Sequence, residues 1–207
     1  MSIAPLRASE LAEVAALHRV AFVGHAHAAL GDAYARRLFD RARRSPSGVA
    51  LVARRDGQVA GYALGVDMAH LDALQRGLRP WAALGVLSHP WIVIHPHVRA
   101  KLTAVAGRLL SRRSEASLAP RGLAVPVMGL LAIGVAPWCR RRGIGGQVLR
   151  AFERASSAYG ASSAVLSVYA RNEAARSLYA AEGWTVPEDT PRGAEALYYT
   201  RSLTGLT

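Results

Sequence analysis

The chain has 207 residues, one cysteine and a formal net charge of +12. That length suits one domain with a sizeable core, a lone thiol excludes an internal disulfide, and no secretory leader or uninterrupted apolar run of the roughly 18 residues needed to span a membrane is seen, so a cytoplasmic setting is expected. The charge invites a nucleic-acid partner, but arginine is spread along the chain instead of gathered in one tail, and nucleic acid is not the partner expected.

In chain order, Ser2 to Leu6 reads as a short first strand. Ser9 is expected to cap a helix whose apolar positions Leu11, Val14, Leu17 and Val20 keep helical spacing. Gly24 to His27 breaks it. A second helix runs over 30–42 with Tyr34, Leu38 and Phe39 on one face, stopped by Ser45-Pro46-Ser47-Gly48. Val49 to Arg54 and Val59 to Val66 are strands joined by Arg55-Asp56-Gly57-Gln58, a hairpin signal.

Residues 68–125 form a long connection, with helical stretches over 71–78, 81–87 and 98–113 separated by Gly77, Pro80, Pro90 and Pro96. The last stretch is basic and amphipathic, carrying Arg99, Lys101, Arg108, Arg112 and Arg113. Residues 114–120 read as a loop. A strand at Val127 to Val135, a helix over 146–159, a strand at Ala164 to Tyr169 and a helix over 173–182 ended by Gly183 follow. Trp184 to Val186 and Glu195 to Leu203 are expected to close the chain as a hairpin. This alternation predicts an α/β (α+β) layer architecture in one domain, 1–207, with 68–125 as a helical insertion.

The richest stretch lies between the strand ending at Val135 and the helix that follows. Arg140-Arg141-Arg142-Gly143-Ile144-Gly145-Gly146 is a basic, glycine-bearing turn opening a helix. Helix N-termini present unpaired N–H groups and partial positive charge, and glycine lets backbone approach an anion closely. A phosphate group is the expected ligand. The dinucleotide fingerprint G-x-G-x-x-G fails at Val148, and the G-K-[ST] ending of a phosphate loop is absent.

Arg140-x-x-Gly143-x-Gly145, followed by Asn172-x-x-Ala175-x-x-x-Tyr179-x-x-x-Gly183-Trp184, resembles the paired motifs of the GNAT superfamily of N-acetyltransferases, with Trp184 where phenylalanine is usual. The resemblance covers nearly all of the chain outside 68–125, an insertion the family usually lacks. It implies the GNAT fold, with a mixed central sheet of about seven strands flanked by helices. It also implies acetyl-coenzyme A (acetyl-CoA) as acyl donor, with its pantetheine arm between splayed fourth and fifth strands. Ile133, Gly134 and Val135 would pair with that arm, and a backbone N–H near Ile133 would polarise the thioester carbonyl. Arg140, Arg141, Arg142, Gly143, Ile144, Gly145 and Gly146 would hold the pyrophosphate, and Asn172 and Ala175 would line the site. Tyr179 would be the general acid that protonates the leaving thiolate. Asn172, directly before a helix, is in any case an N-cap.

The acceptor is less legible. A small-molecule amine, an amino sugar first, is expected to be acetylated by direct attack; a protein lysine or N-terminus, and a non-catalytic acyl-CoA sensor, remain as alternatives. His25 and His27, between the first two helices, and Tyr169 are candidates for the substrate side. Residues 128–135 hold no carboxylate to act as general base, leaving His25, His27, His70, Asp67, Glu195 and Tyr169 as candidates or a water chain. His25-x-His27 and His95-x-His97 lack the partners of a usual metal site, so no metal is expected. Cys139 lies beside three arginines that would lower a thiol pKa, yet reads as a packing residue. The basic helix 98–113 is either a lid over the acceptor or a surface for anionic lipid or phosphate, and a homodimer stays open.

Overall fold

The computed structural model describes residues 1–22, 30–82, 122–188, 190, 191 and 193–205. The described elements are β1 (Ser2–Pro5), α1 (Leu11–Ala21), α2 (Gly31–Arg44), β2 (Gly48–Arg55), β3 (Gln58–Asp67), α3 (Leu71–Arg76), β4 (Val127–Val135), α4 (Ile144–Tyr159), β5 (Ser163–Tyr169), α5 (Glu173–Ala181) and β6 (Ala196–Ser202). The six strands form one mixed sheet in the order β1-β2-β3-β4-β5-β6. All neighbours are antiparallel except β4 and β5, which are parallel and joined through α4.

Side-chain size along β3 decides which helix lies on which face. Gly61 and Gly65 point at α4, where an added Cβ would meet Ile144 and Val148 at 3.5 Å and the Phe152 ring at 2.5 Å respectively. Their absent side chains let α4 lie close to the sheet. The alternate position Tyr62 faces the other way, toward His18 of α1 and Phe39 of α2. So α1 and α2 cover one face, and α4 covers the other. α5 shares the α4 face, since Arg150 of α4 pairs with Glu182 just past α5 and Trp184 donates from Nε1 to Glu153 at 2.7 Å. The core between these layers includes the fully buried Tyr62, Phe39, Phe152, Leu64 and Met128.

Asp56 and Gly57 hold φ values of 53° and 79°, the two left-handed residues that a tight hairpin requires. Three expectations are corrected. Ser9 lies inside a short 3-10 turn, and the start of α1 is fixed instead by the buried Glu10, which accepts from the Arg7 N–H and pairs with Arg54. Val20 is 48% exposed, while His18, 2% exposed, takes the inward position. Among the described residues the sheet has six strands and not about seven, because the segment at Trp184 to Val186 makes only an isolated bridge, Thr185 to Thr200. Proline at 187 and the return to β6 leave it too short to build a ladder. The helical stretches expected beyond residue 82, including 98–113, and the loop at 114–120 lie outside the described residues.

Candidate active site

β4 and β5 pair only from Val127–Ser163 to Leu130–Leu166. Beyond that point β4 runs on to Val135 and β5 to Tyr169 without pairing, so the sheet opens into a gap. The cause is local. On the β3 side the register skips from Leu64–Ala132 to Gly65–Leu130, leaving Leu131 as the extra residue of a bulge. A bulge bends its strand and increases twist, and this one begins at the residue after the last β4–β5 pair.

The open edge carries unused backbone. Ala136 donates to Ala60 of β3 at 2.9 Å, and alternation along a strand turns Gly134 and Ala132 the same way. The N–H groups of Ile133 and Val135 therefore point into the gap. The Val135 carbonyl on that edge accepts from Arg140 Nε at 3.3 Å.

Above the gap the chain makes a short 3-10 turn over Pro137–Cys139 and then holds positive φ at Arg141 (58°) and Gly143 (72°) before entering α4. Gly143 is the N-cap, so the N–H groups of Ile144, Gly145 and Gly146 have no intrahelical acceptor by geometry. Arg140, Arg141 and Arg142 are exposed around them. A Cβ at Gly145 would lie 3.2 Å from Leu178 of α5 and 3.7 Å from Val135, which places strand end, turn and α5 around one point. A Cβ at Gly146 would meet the Glu182 carboxylate at 2.2 Å, so this glycine also admits the Arg150–Glu182 pair.

Tyr179 is fixed by both ends of its helix. Asn172 caps α5, its side-chain oxygen accepting from the Ala175 N–H at 3.2 Å. At the other end Gly183 (φ 77°) donates to Ala180 at 3.0 Å and Trp184 donates to Tyr179 at 2.9 Å, the paired bonds of a Schellman motif. The hydrophobic contact that accompanies such a motif is here Tyr179 against Trp184, ring centroids 6.2 Å apart. Tyr199 of β6 packs on Tyr179 at 5.6 Å. Burial, and next the neighbouring Tyr199, push the Tyr179 phenol far above its ordinary range, so it keeps its proton at neutral pH.

The other sequence candidates separate. Tyr169 ends β5 on the far wall of the gap, half-buried, with the Arg171 guanidinium 5.1 Å from its ring centre. Glu195 is exposed, and its backbone carbonyl accepts from Ala170. Asp67 and His70 lie at the opposite end of β3, where Asp67 accepts from Tyr159 at 2.9 Å and sits 3.7 Å from His70. His70 there borders a cavity of about 530 Å³ together with Arg37, Arg41, Arg44 and Trp81, away from the gap. The Cys139 thiol is buried and donates to the Ala60 and Ala136 carbonyls; burial raises its pKa against the lowering effect of Arg55, Arg142 and Arg140. His25, His27, His95 and His97 lie outside the described residues. Among the described residues no group of three His, Cys, Asp or Glu side chains could hold a metal ion, and no described helix is long and apolar enough to cross a membrane.

One buried pair was not singled out by sequence. His18 Nδ1 lies 2.7 Å from the Tyr62 hydroxyl. The pair is caged by Phe22, stacked on His18 at 4.6 Å, and by Phe39, edge-on to both rings. Tyr62 leans over Gly134, where a Cβ would come within 3.0 Å of the phenol oxygen. The signal was present: Val14, His18 and Phe22 are four apart, the inward stripe of α1.

An open parallel strand pair, free N–H groups along one edge and a phosphate-sized helix N-terminus define an acyl-coenzyme A fold. The Acetyltransferase (GNAT) family model matches residues 11–184, and the chain belongs to that family: it is an acetyl-CoA-dependent N-acetyltransferase. A sequence search found no curated protein that matches it. Among solved structures it is similar to SsHAT, with 23% identity over 98% of each chain and a TM-score of 0.63. It is also similar to a ribosomal-protein-alanine N-acetyltransferase from Brucella melitensis, with 16% identity over 98% of this chain and 99% of that one, TM-score 0.61. A third is yncA, a putative acetyltransferase from Salmonella typhimurium solved with its cofactor acetyl-CoA, with 14% identity over 98% and 94% of the two chains and a TM-score of 0.58.

Proposed function

We propose that the protein moves the acetyl group of acetyl-CoA to the primary amine of a small molecule, an amino sugar first, by direct attack with Tyr179 as general acid. The observation that supports this reading is the open β4 edge with the Gly143–Gly146 turn above it, which α5, the helix of Tyr179, approaches through Leu178. Bound acetyl-CoA supplies an activated thioester. The N–H groups of Ile144, Gly145 and Gly146 hold its pyrophosphate at the helix N-terminus, and Arg141 and Arg142 add positive charge. Ile133 and Val135 offer N–H groups to the pantetheine arm, and the one at Ile133 stabilises negative charge on the carbonyl oxygen.

Tyr179 donates to the leaving sulfur. Burial keeps the phenol protonated but also makes it a weaker acid, so the transfer relies on a thiolate formed in the same dry surroundings being driven to take a proton. Asn172 keeps its side-chain oxygen on the Ala175 N–H, which leaves it a helix-positioning part in this scheme.

The test is an amine panel read by thiol release, containing glucosamine and its phosphate ester, a lysine peptide and a peptide with a free N-terminal alanine. The small-molecule reading expects an amino sugar to show the highest kcat/KM. Turnover confined to the peptides would make this a protein acetyltransferase, and coenzyme binding without thiol release for any amine would make it a sensor.

A further inference from the structure

Resting on the acetyl-transfer reading, we propose that Tyr62 and His18 form the proton relay for the acceptor amine, in place of the carboxylate that β4 lacks. Tyr62 stands opposite Gly134 in the β3–β4 ladder, and its hydroxyl lies over that residue, between the two strand positions whose N–H groups face the gap. Only glycine leaves room for it there: a Cβ would lie 2.6 Å from Cε1 of the ring. The Tyr62 phenol is thus brought to the open edge of β4, on the face covered by α1 and α2. Behind it, His18 Nδ1 lies 2.7 Å from the hydroxyl, and in the tautomer protonated at Nε2 it accepts from Tyr62.

Among the described residues, four carboxylates have other partners or places. Glu153 accepts from Trp184 on the opposite face, Glu182 holds Arg150, Glu10 holds Arg54, and Asp67 is at the other end of β3. Among the described residues, Phe22 at the end of α1 and Phe39 of α2 pack on the pair, and the Tyr179 phenol of α5 adds to burial in raising the Tyr62 pKa. Tyr62 is therefore neutral throughout the working range and passes a proton on instead of carrying a charge.

The step balances as follows. The amine nitrogen forms the C–N bond with its lone pair and the C–S bond breaks with its electron pair on sulfur. The proton lost by nitrogen goes to the Tyr62 oxygen while Tyr62 gives its own to His18 Nδ1, and sulfur takes the proton of Tyr179. Solvent exchange then returns a proton from His18 to Tyr179, and no other reactant is needed.

Two variants separate this relay from a packing role. Tyr62→Phe keeps the ring over Gly134 and removes only the hydroxyl. His18→Asn sets an amide oxygen near the position of Nδ1, able to accept from Tyr62 but not to take its proton. With the best amine of the panel at saturating acetyl-CoA, each is expected to lower kcat at least tenfold, with acetyl-CoA affinity within threefold of the parent. Parent-like kcat in a folded Tyr62→Phe or His18→Asn protein, or a loss of acetyl-CoA affinity that accounts for the whole fall, would overturn the relay while leaving acetyl transfer intact. A parent protein that binds acetyl-CoA and releases no thiol with any amine would overturn the transfer reading, and the relay with it.

Discussion

At the residue scale, the site rests on a few side chains with distinct duties. Tyr179→Phe keeps the aromatic cluster with Trp184 and Tyr199 and removes only the hydroxyl, the proposed proton donor. It is expected to lower kcat about a hundredfold, the usual size of a general-acid contribution, with an unchanged acetyl-CoA Kd; stopped thiol release and titration calorimetry read the two separately. Gly145 separates fit from charge. Alanine there needs Leu178, a flexible side chain 3.2 Å away, to give by a few tenths of an ångström, so coenzyme affinity should stay within a few-fold. Glutamate puts a negative charge where phosphate belongs, and Gly145→Glu should abolish measurable binding while the protein stays folded. Equal affinity for the two variants would contradict the pyrophosphate assignment. These residues were legible in the sequence because each belongs to a motif whose spacing has a mechanical reason. His18 and Tyr62 were not: their partnership spans 44 positions and depends on a strand register that no local pattern shows.

At the element scale, the second motif is largely a device for holding α5. Asn172 starts the helix, Gly183 ends it in the left-handed region, and Trp184 folds back on Tyr179 while reaching Glu153 of α4. The bulky residue after the glycine thus ties the two helices that flank the gap. The tie has a cost, because burial raises the Glu153 pKa from its ordinary 4.5 despite the hydrogen bond from Trp184 and the nearby arginines. A carboxyl with a raised folded-state pKa binds its proton more tightly folded than unfolded. Its contribution to stability is therefore full below pH 4.5 and is lost as pH rises through the raised value. Glu153→Gln, whose amide oxygen still accepts from Trp184, should melt about 2–4 °C higher at pH 7, and the difference should shrink toward pH 4. A lower melting temperature at pH 7 would show that the charge is held favourably. Helices, strands and the Asp56-Gly57 hairpin could be read from periodicity and turn chemistry. The start of α1 and the missing seventh strand could not, since one depends on a tertiary pair, Glu10 with Arg54, and the other on how little of 184–186 meets β6.

At the scale of the whole molecule, layer order and function follow from one asymmetry. Small residues on one face of β3 admit α4 closely, large ones on the other hold α1 and α2 at a distance, and the Leu131 bulge parts β4 from β5 between them. The family was readable from two motifs; the acceptor was not, since the insertion after β3 has no counterpart in the family pattern and residues 83–121 lie outside the described residues. Of the net charge of +12, Arg140, Arg141 and Arg142 lie exposed at the turn before α4. The central claim, that the gap takes acetyl-CoA, is tested most directly by melting temperature with acetyl-CoA, nicotinamide dinucleotide or ATP. At about a hundred times its Kd a ligand adds about 2.7 kcal/mol, which for a chain of this size is a rise of about 5–10 °C. That rise with acetyl-CoA, and none of comparable size with the other two, is the predicted result; no rise with acetyl-CoA, or an equal rise with all three, would contradict the account.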